Sequence, residues 1–368
     1  MKILYDHQIF GSQRFGGISR YFFELANHLA VADDGVAACR INSPIYVNEY
    51  LRYAKPELQI KGFAMPALRR SARIYSMLNK IFRPIGSYGW RPDIVHETYY
   101  SRNGFSPLGS KVVLTVFDMI HELYPHLFSS SDRTSEFKKI AVDRADHVVC
   151  ISESTQQDLV RIFGVPVEKT SVVHLGFALT GSEVVKLPSK SRPFLLYVGS
   201  RGGYKNFDRL LAAYASCNEL RNEYDLVAFG GGVFNAREHT LIEGFGLNDS
   251  QVCHIGGGDS VLAALYRQAV LFVYPSLYEG FGIPPLEAMS FDCPVACSNT
   301  SSMPEVVGDA AIKFNPREVD SIASALVALS TSSERRVDLI DRGRTRLKLF
   351  SWDKCAQQTL EVYRKVLS

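Results

Sequence analysis

The stretch Tyr274-Pro-Ser-Leu-Tyr-Glu279-Gly-Phe-Gly-Ile-Pro-Pro-Leu-Glu287-Ala-Met289 decides how the rest of the chain is read. It closes an apolar run of strand length, Val270 to Tyr274. A loop with Gly280 and Gly282 follows. Pro284 and Pro285 come next, and they suit a first helical turn because N–H groups there have no intrahelical acceptor. Strand, glycine loop and helix start in that order make an anion site, since backbone N–H groups of the loop and first turn can face a phosphate. Glu279 precedes the turn and Glu287 lies within the first helical turns. Ionised carboxylates only accept hydrogen bonds, so both suit the hydroxyls of a sugar or ribose and would repel the phosphate itself.

Working outward, strand and helix signals alternate along the chain, which predicts an α/β fold. Apolar runs predict strands at Met1–Asp6, Asp93–His96, Val112–Phe117, His147–Ile151, Ser171–His174, Phe194–Val198, Leu226–Phe229, Val252–Ile255 and Val270–Tyr274. Ser152 reads as the N-cap of a following helix. Leu175–Pro193 has Gly, Ser, Pro and Lys without periodicity and reads as a linker. With 368 residues and about 150 per domain, two domains are expected, spanning 1–175 and 176–351, with a last helix over 352–368. Each is expected to be a Rossmann-like parallel sheet with its ligand at the carboxyl ends of the strands, the two facing across a cleft.

Composition narrows the function. Hydrophobic residues make up 46% and charged residues 21%, so disorder is excluded as the main state. No apolar run approaches the ~18 residues of a membrane span, and the first residues lack the pattern of a signal peptide, so a cytoplasmic location is expected. The seven cysteines contain no C-x-x-C pair, which argues for buried thiols over a disulfide framework or zinc site. A net charge of +3 is too small to point to nucleic acid. Its placement is uneven: Leu51–Trp90 holds eight basic residues and one acid, Glu57. Within it, Arg69, Arg73 and Lys80 fall on one helical stripe, with Leu68, Ala72, Tyr75, Leu78 and Phe82 on the other side. Such a basic amphipathic helix suits either core packing with a wet basic face or peripheral contact with an anionic membrane.

The frame YPSLYEGFGIPPLEAM resembles the donor-site motif of retaining glycosyltransferases of family 4, which have the GT-B fold. The resemblance implies that Glu279 contacts the transferred sugar and Glu287 the ribose. It also implies that the backbone of Phe281, Gly282 and Ile283 approaches the sugar and diphosphate. Tyr197-Val-Gly199-Ser-Arg201-Gly-Gly-Tyr-Lys205-Asn206 resembles the family's strand–loop segment, where the lysine contacts the diphosphate and a nearby arginine assists. Lys205 is the match, Arg201 stands one place off the usual pairing, and Gly199 and Asn206 belong to the implied donor site. Arg14-Phe-Gly16-Gly17-Ile-Ser-Arg20 resembles the family's Gly-Gly turn beside the diphosphate. Ala145–Glu153, Ser302–Ala310 and the Phe-Ser-Trp352 ending match further family segments. One position departs: where many relatives have His-Asp, this chain has Phe117-Asp118, leaving Asp118 or His121 as replacements for a sugar contact.

The chemistry implied is transfer of a sugar from a nucleoside diphosphate with retention, through a short-lived oxocarbenium-like species. The departing charge sits on phosphate oxygens, so Lys205, Arg201 and backbone N–H groups can stabilise it electrostatically. The chain has no Asp-x-Asp, so neither a metal nor another cofactor is expected. A GDP-sugar of mannose or rhamnose type is the expected donor, and a lipid-linked or oligosaccharide acceptor of O-antigen or capsule assembly the expected partner. Two other readings use the same fold: a nucleotide-sugar epimerase, and a sugar-nucleotide-binding assembly factor without catalysis. The glycine runs Gly230–Gly232 and Gly256–Gly258 lack the G-x-G-x-x-G spacing and read as tight turns. His96, His147 and His174 read as packed, hydrogen-bonded histidines.

Overall fold

The computed structural model describes residues 1–31, 37–68, 71–177, 185 and 192–368. These form two compact units: Met1–Gly176 with Trp352–Ser368, and Phe177–Ser351. Each is an α/β layer structure on one parallel sheet.

The first unit holds seven strands: β1 (Lys2–Tyr5), β2 (Ala38–Tyr46), β3 (Gln59–Ala64), β4 (Ile94–Glu97), β5 (Lys111–Val116), β6 (His147–Cys150) and β7 (Thr170–Val172). Their order is β3-β2-β1-β4-β5-β6-β7. The chain builds outward from β1 in one direction and from β4 in the other, so the order reverses between β1 and β4. Every position of β4 and β6 is buried, as expected where helices cover both faces of a parallel sheet. The C-terminal helix, Trp352–Leu367, packs in this unit: Trp352 meets Tyr21, and the Tyr363 hydroxyl lies 2.6 Å from His96 Nδ1. His96 Nε2 lies 2.8 Å from Thr115 Oγ1, and burial lowers the histidine to about 3. It is therefore a neutral, fully bonded core residue.

The second unit has β8 (Phe194–Val198), β9 (Asp225–Phe229), β10 (Val252–Ile255), β11 (Leu271–Tyr274), β12 (Val295–Ser298) and β13 (Ala311–Phe314). They run in the order β10-β9-β8-β11-β12-β13, reversing between β8 and β11. Its core joins Leu195 and Tyr197 of β8 to Phe207, Leu211 and Tyr214 on one helix and Leu326 and Leu329 on another.

Four strands, β2, β3, β12 and β13, are not among those expected from the sequence. Asn42, Ser43 and Pro44 interrupt β2, and the β2–β3 register shifts between Asn42 and Ile45. There Asn79 clamps the backbone, accepting from Ile45 N–H at 2.7 Å and donating to Ile45 O at 2.8 Å.

The helix Ser71–Ser87 corrects the expected stripes. Among its described side chains Tyr75 and Asn79 are the buried ones, while Ile74, Met77 and Ile81 are 55%, 56% and 58% exposed. Its outward ridge is apolar, with Arg73 and Lys80 exposed beside it. The reason is that Asn79, not an apolar side chain, makes the anchoring contact to β2. Arg69 lies outside the described residues. Among the described residues no helix is long and apolar enough to cross a membrane.

Candidate active site

In doubly wound sheets the crevice at the strand-order reversal is the natural ligand position. In the second unit that point is framed by the segments after β8 and β11, the two segments singled out in the sequence. Lys205 closes a short turn, Gly203–Lys205, and Asn206 follows in the left-handed region at φ 61°. Its amide donates to Pro275 O at 2.9 Å and to Pro316 O at 2.7 Å. Leu277 N–H donates to Tyr204 O at 2.7 Å. These bonds tie the β8 segment to the β11 segment and bring the Lys205 ammonium to 2.7 Å from Glu279 Oε1. The pair is partly shielded, with 17% and 11% of the two side chains exposed. Lys205 also lies 3.3 Å from the buried Tyr274 hydroxyl, whose proton burial and the neighbouring Glu279 hold well above the usual tyrosine range.

The Glu279 loop is fastened from a third side, after β12. Ser301 Oγ accepts from Glu279 N–H at 2.9 Å. Ser302 Oγ lies 2.9 Å from Glu279 O and 2.8 Å from Phe281 O. Gly282 sits at φ +96°, and a Cβ there would lie 2.1 Å from Met303 Cε. The positive φ favours glycine, and a Cβ would also require the end of Met303 to move. The helix Ile283–Ser290 starts directly after it, with prolines in its first turn. Among the described residues neither Gly282 N–H nor Ile283 N–H has a protein acceptor. Two unused helix-start donors and the Lys205 ammonium thus belong to the two loops that meet at this strand-order reversal, the kind of groups an anion site uses. Glu287 is buried on that helix, close enough to Tyr266 to join burial in raising the Tyr266 hydroxyl.

Three of the anticipated ligand residues have other partners. Arg201 is buried, and its guanidinium bonds Glu238 at 2.7 Å, Gly230 O at 2.6 Å and Gly232 O at 2.9 Å. Three successive glycines at φ +87°, +69° and +74° aim those carbonyls at it. Glu238 completes a capping box with Asn235 at the start of the helix Ala236–Gly244. Burial opposes its ionisation, but the bonds from Arg201 and Asn235 bring it below its ordinary value. Arg201 is thus a brace for the glycine loop. Asn206 spends its amide on two carbonyls, and Gly199 N–H donates to Phe229 O at 2.9 Å. Both shape the loop instead of presenting a donor.

In the first unit, Gly16 is in extended backbone and Gly17 opens the helix Gly17–Ala30. A Cβ at Gly17 would meet nothing within 4 Å, so the unit's own packing does not require glycine there. Phe117 is buried edge-on against Tyr21, with centroids 5.3 Å apart. Asp118 accepts from Ile120 N–H at 3.0 Å and lies 3.9 Å from the buried Lys138 ammonium, which is held more closely by Glu122 at 2.8 Å. His121 stacks on Phe128 at 3.9 Å. Among the described residues no group of three His, Cys, Asp or Glu side chains could hold a metal ion.

The sequence reading did not single out Tyr274 as a hydroxyl partner, Ser301, or Glu238. The Asn235-x-x-Glu238 capping box was the available signal for the last.

Comparison with known proteins joins these features. Residues 15–180 match the model of Glycosyltransferase Family 4, and residues 182–346 that of Glycosyl transferases group 1. The chain is 28% identical to the O-antigen chain mannosyltransferase B of Escherichia coli over 95% of this chain and 96% of that one. It is 30% identical to the serotype-specific mannosyltransferase WbdA of Escherichia coli over 75% of this chain, which spans 37% of that relative. The fold matches a sucrose-phosphate synthase from Thermosynechococcus elongatus with a TM-score of 0.76 at 20% identity, covering 99% and 98% of the two chains.

Proposed function

Because this chain belongs to the family 4 glycosyltransferases with the GT-B fold, we propose that it transfers mannose from GDP-mannose to a mannose-bearing glycan acceptor, with retention, in O-antigen-type polysaccharide assembly. The observation that supports this reading best is the Lys205–Glu279 pair, held at 2.7 Å where the loops after β8 and β11 meet at the strand-order reversal.

In this reading a diphosphate oxygen takes the position framed by Lys205 and the two amides. Its arrival competes with Glu279 for the ammonium. Glu279 is then free to accept from a donor-sugar hydroxyl, so binding and sugar positioning are coupled. Glu287 accepts from the ribose. As the glycosidic bond breaks, negative charge grows on the diphosphate, where preorganised donors are worth most. The leaving group then needs no proton from the protein. The same electrostatic role is the one a divalent metal would fill, so activity is proposed to be metal-independent. Arg201, Asn206 and Ser302 act as positioning residues for the two loops. The outward ridge of Ile74, Met77 and Ile81, flanked by Arg73 and Lys80, supports contact with an anionic membrane carrying a lipid-linked acceptor.

The test is a donor panel of GDP-mannose, GDP-rhamnose, UDP-glucose and ADP-glucose with an α-mannoside acceptor, with and without EDTA. Nucleotide release and the anomeric configuration of the product are read. GDP-mannose turnover giving an α-linkage, unchanged by EDTA, is expected. A β-linked product, a metal requirement, or preference for another donor would each correct the corresponding part. Absence of turnover with every donor and acceptor would overturn the whole.

A further inference from the structure

A cavity of about 490 Å³ lies within the first unit. It opens where the strand order reverses, at the carboxyl ends of β1 and β4. His7 and Gln8 follow β1, and Tyr99 to Asn103 follow β4. The Ser71–Ser87 helix supplies Lys80 from its exposed edge and the half-buried Arg83. This is the position in a doubly wound sheet at which ligands bind, and the volume is that of a small-molecule site.

The charge of the lining is one-sided. Lys80, Arg83 and Arg102 contribute to it, and no Asp or Glu does. The nearby acids are already committed. Asp6 accepts from Thr98 N–H at 3.0 Å and from the Gln8 amide at 2.7 Å, and Glu97 is paired with Arg144 at 2.6 Å. Among the described residues none of the three cations lies within ion-pair distance of a carboxylate. His7 is buried, and its Nδ1 has no hydrogen-bond partner among the described residues. Burial lowers its proton affinity, with Arg83 and Lys80 adding to that and Asp6 opposing it. The imidazole is therefore neutral and keeps a polar atom unsatisfied at the cavity wall. Asp6 and Glu97 act on Arg83 only from beyond ion-pair distance, so three cations without a directly paired carboxylate, beside an unsatisfied buried nitrogen, favour an oxyanion, since charge-assisted bonds to phosphate oxygens satisfy both.

We propose that this cavity binds the phosphoryl end of the acceptor, a phosphate or diphosphate ester, with Lys80, Arg83 and Arg102 on its oxygens and His7 as the buried polar contact. The assignment rests on the glycosyltransferase reading. It makes a glycosyl diphosphate a better acceptor than the same glycan on a neutral group. A phospholipid headgroup offers the same chemistry, because the outer ridge of the same helix is apolar.

Binding is tested first, independently of transfer. Inorganic pyrophosphate is titrated calorimetrically into full-length Lys205→Ala protein, which lacks the ammonium of the other anion site. Binding is expected, and adding Lys80→Ala and Arg102→Ala should weaken it by at least about tenfold, with Lys80→Arg restoring part of it. Both side chains are exposed, so the fold should persist, which circular dichroism checks. No binding, or binding indifferent to Lys80 and Arg102, overturns the site. Transfer is then compared for mannosyl octyl diphosphate and octyl mannoside. The ratio of their kcat/KM values should favour the diphosphate by about tenfold and collapse toward one in the Lys80→Ala, Arg102→Ala protein. Equal use of both by the unsubstituted protein, or displacement of pyrophosphate by short-chain phosphatidylglycerol but not by the mannosyl diphosphate, overturns the acceptor assignment. Absence of transfer to either compound, with pyrophosphate binding intact, overturns the glycosyltransferase reading and the acceptor assignment but leaves the anion site standing.

Discussion

Lys205→Ala is expected to lower kcat/KM for the nucleotide-sugar donor by about a hundred- to a thousand-fold, the usual cost of removing one preorganised donor from a developing oxyanion. Steady-state kinetics with the correct donor check it, and retention of full activity would remove Lys205 from the chemistry. Arg201→Ala should act differently. Its removal leaves Glu238 buried without its partner, which costs about 3–5 kcal/mol of stability. Both tryptophans, Trp90 and Trp352, belong to the first unit, so unfolding of the second must be followed by circular dichroism. Arg201→Lys should not rescue, because one ammonium cannot span Glu238 and the carbonyls of Gly230 and Gly232. Lost donor affinity at unchanged stability would instead make Arg201 a ligand contact. Gly282→Ala should lose activity chiefly through the positive φ, with displacement of the Met303 end adding to it. Pairing it with Met303→Ala should recover only part, since the backbone strain remains.

At the scale of elements, the helix Ser71–Ser87 has two differently used sides. Lys80 and Arg83 line a cavity, and Ile74, Met77 and Ile81 face outward. Replacing these three with glutamate is expected to abolish sedimentation with anionic vesicles while changing the melting temperature little, because exposed substitutions usually cost within about 0.5 kcal/mol. Unaltered sedimentation would mean that the ridge does not meet the membrane. Strand legibility also belongs to this scale. β8 and β11 are apolar without interruption because helices cover both faces, so their signal is strong. β2 is broken by Asn42, Ser43 and Pro44, and β13 carries the exposed Lys313 in its middle. Their pairing partners define these strands, and a local sequence window does not contain those partners.

At the scale of the molecule, acid should destabilise the first unit. His96 is lowered to about 3 and His147 to about 4, chiefly by burial, so below their unfolded values near 6.5 the unfolded chain binds protons that the folded one refuses. Stability is fully present above pH 6.5 and falls as pH drops. Glu97, raised to about 7 by burial against the pull of Arg144, works in the opposite sense. It favours the folded state more as pH falls from 7 toward 4.5, below which both states are protonated. Two histidines against one glutamate leave a net loss of about 1.4 kcal/mol per pH unit between 6.5 and 4.5. Urea unfolding followed by tryptophan fluorescence reads this unit alone. Stability that is flat or rising as pH falls through that window would contradict the assignment.

The sequence by itself determined the two-sheet α/β plan and the strand–glycine loop–helix frame from Tyr274 to Met289. It also brought Lys205, Glu279, Glu287 and Gly282 to notice. These rest on local signals, namely apolar runs, glycine and proline placement, and residue types at short spacing. Tertiary structure alone decided what each polar group touches. It gave Arg201 to Glu238 and the glycine carbonyls, Asn206 to Pro275 and Pro316, and Phe117 to the aromatic core beside Tyr21. It also gathered Lys80, Arg83, Arg102 and His7 around one cavity, although as many as 95 residues separate them in the chain. The physical reason is that a buried donor or charge is satisfied by whatever lies within hydrogen-bond reach in space, and strand order, not sequence spacing, sets those neighbours.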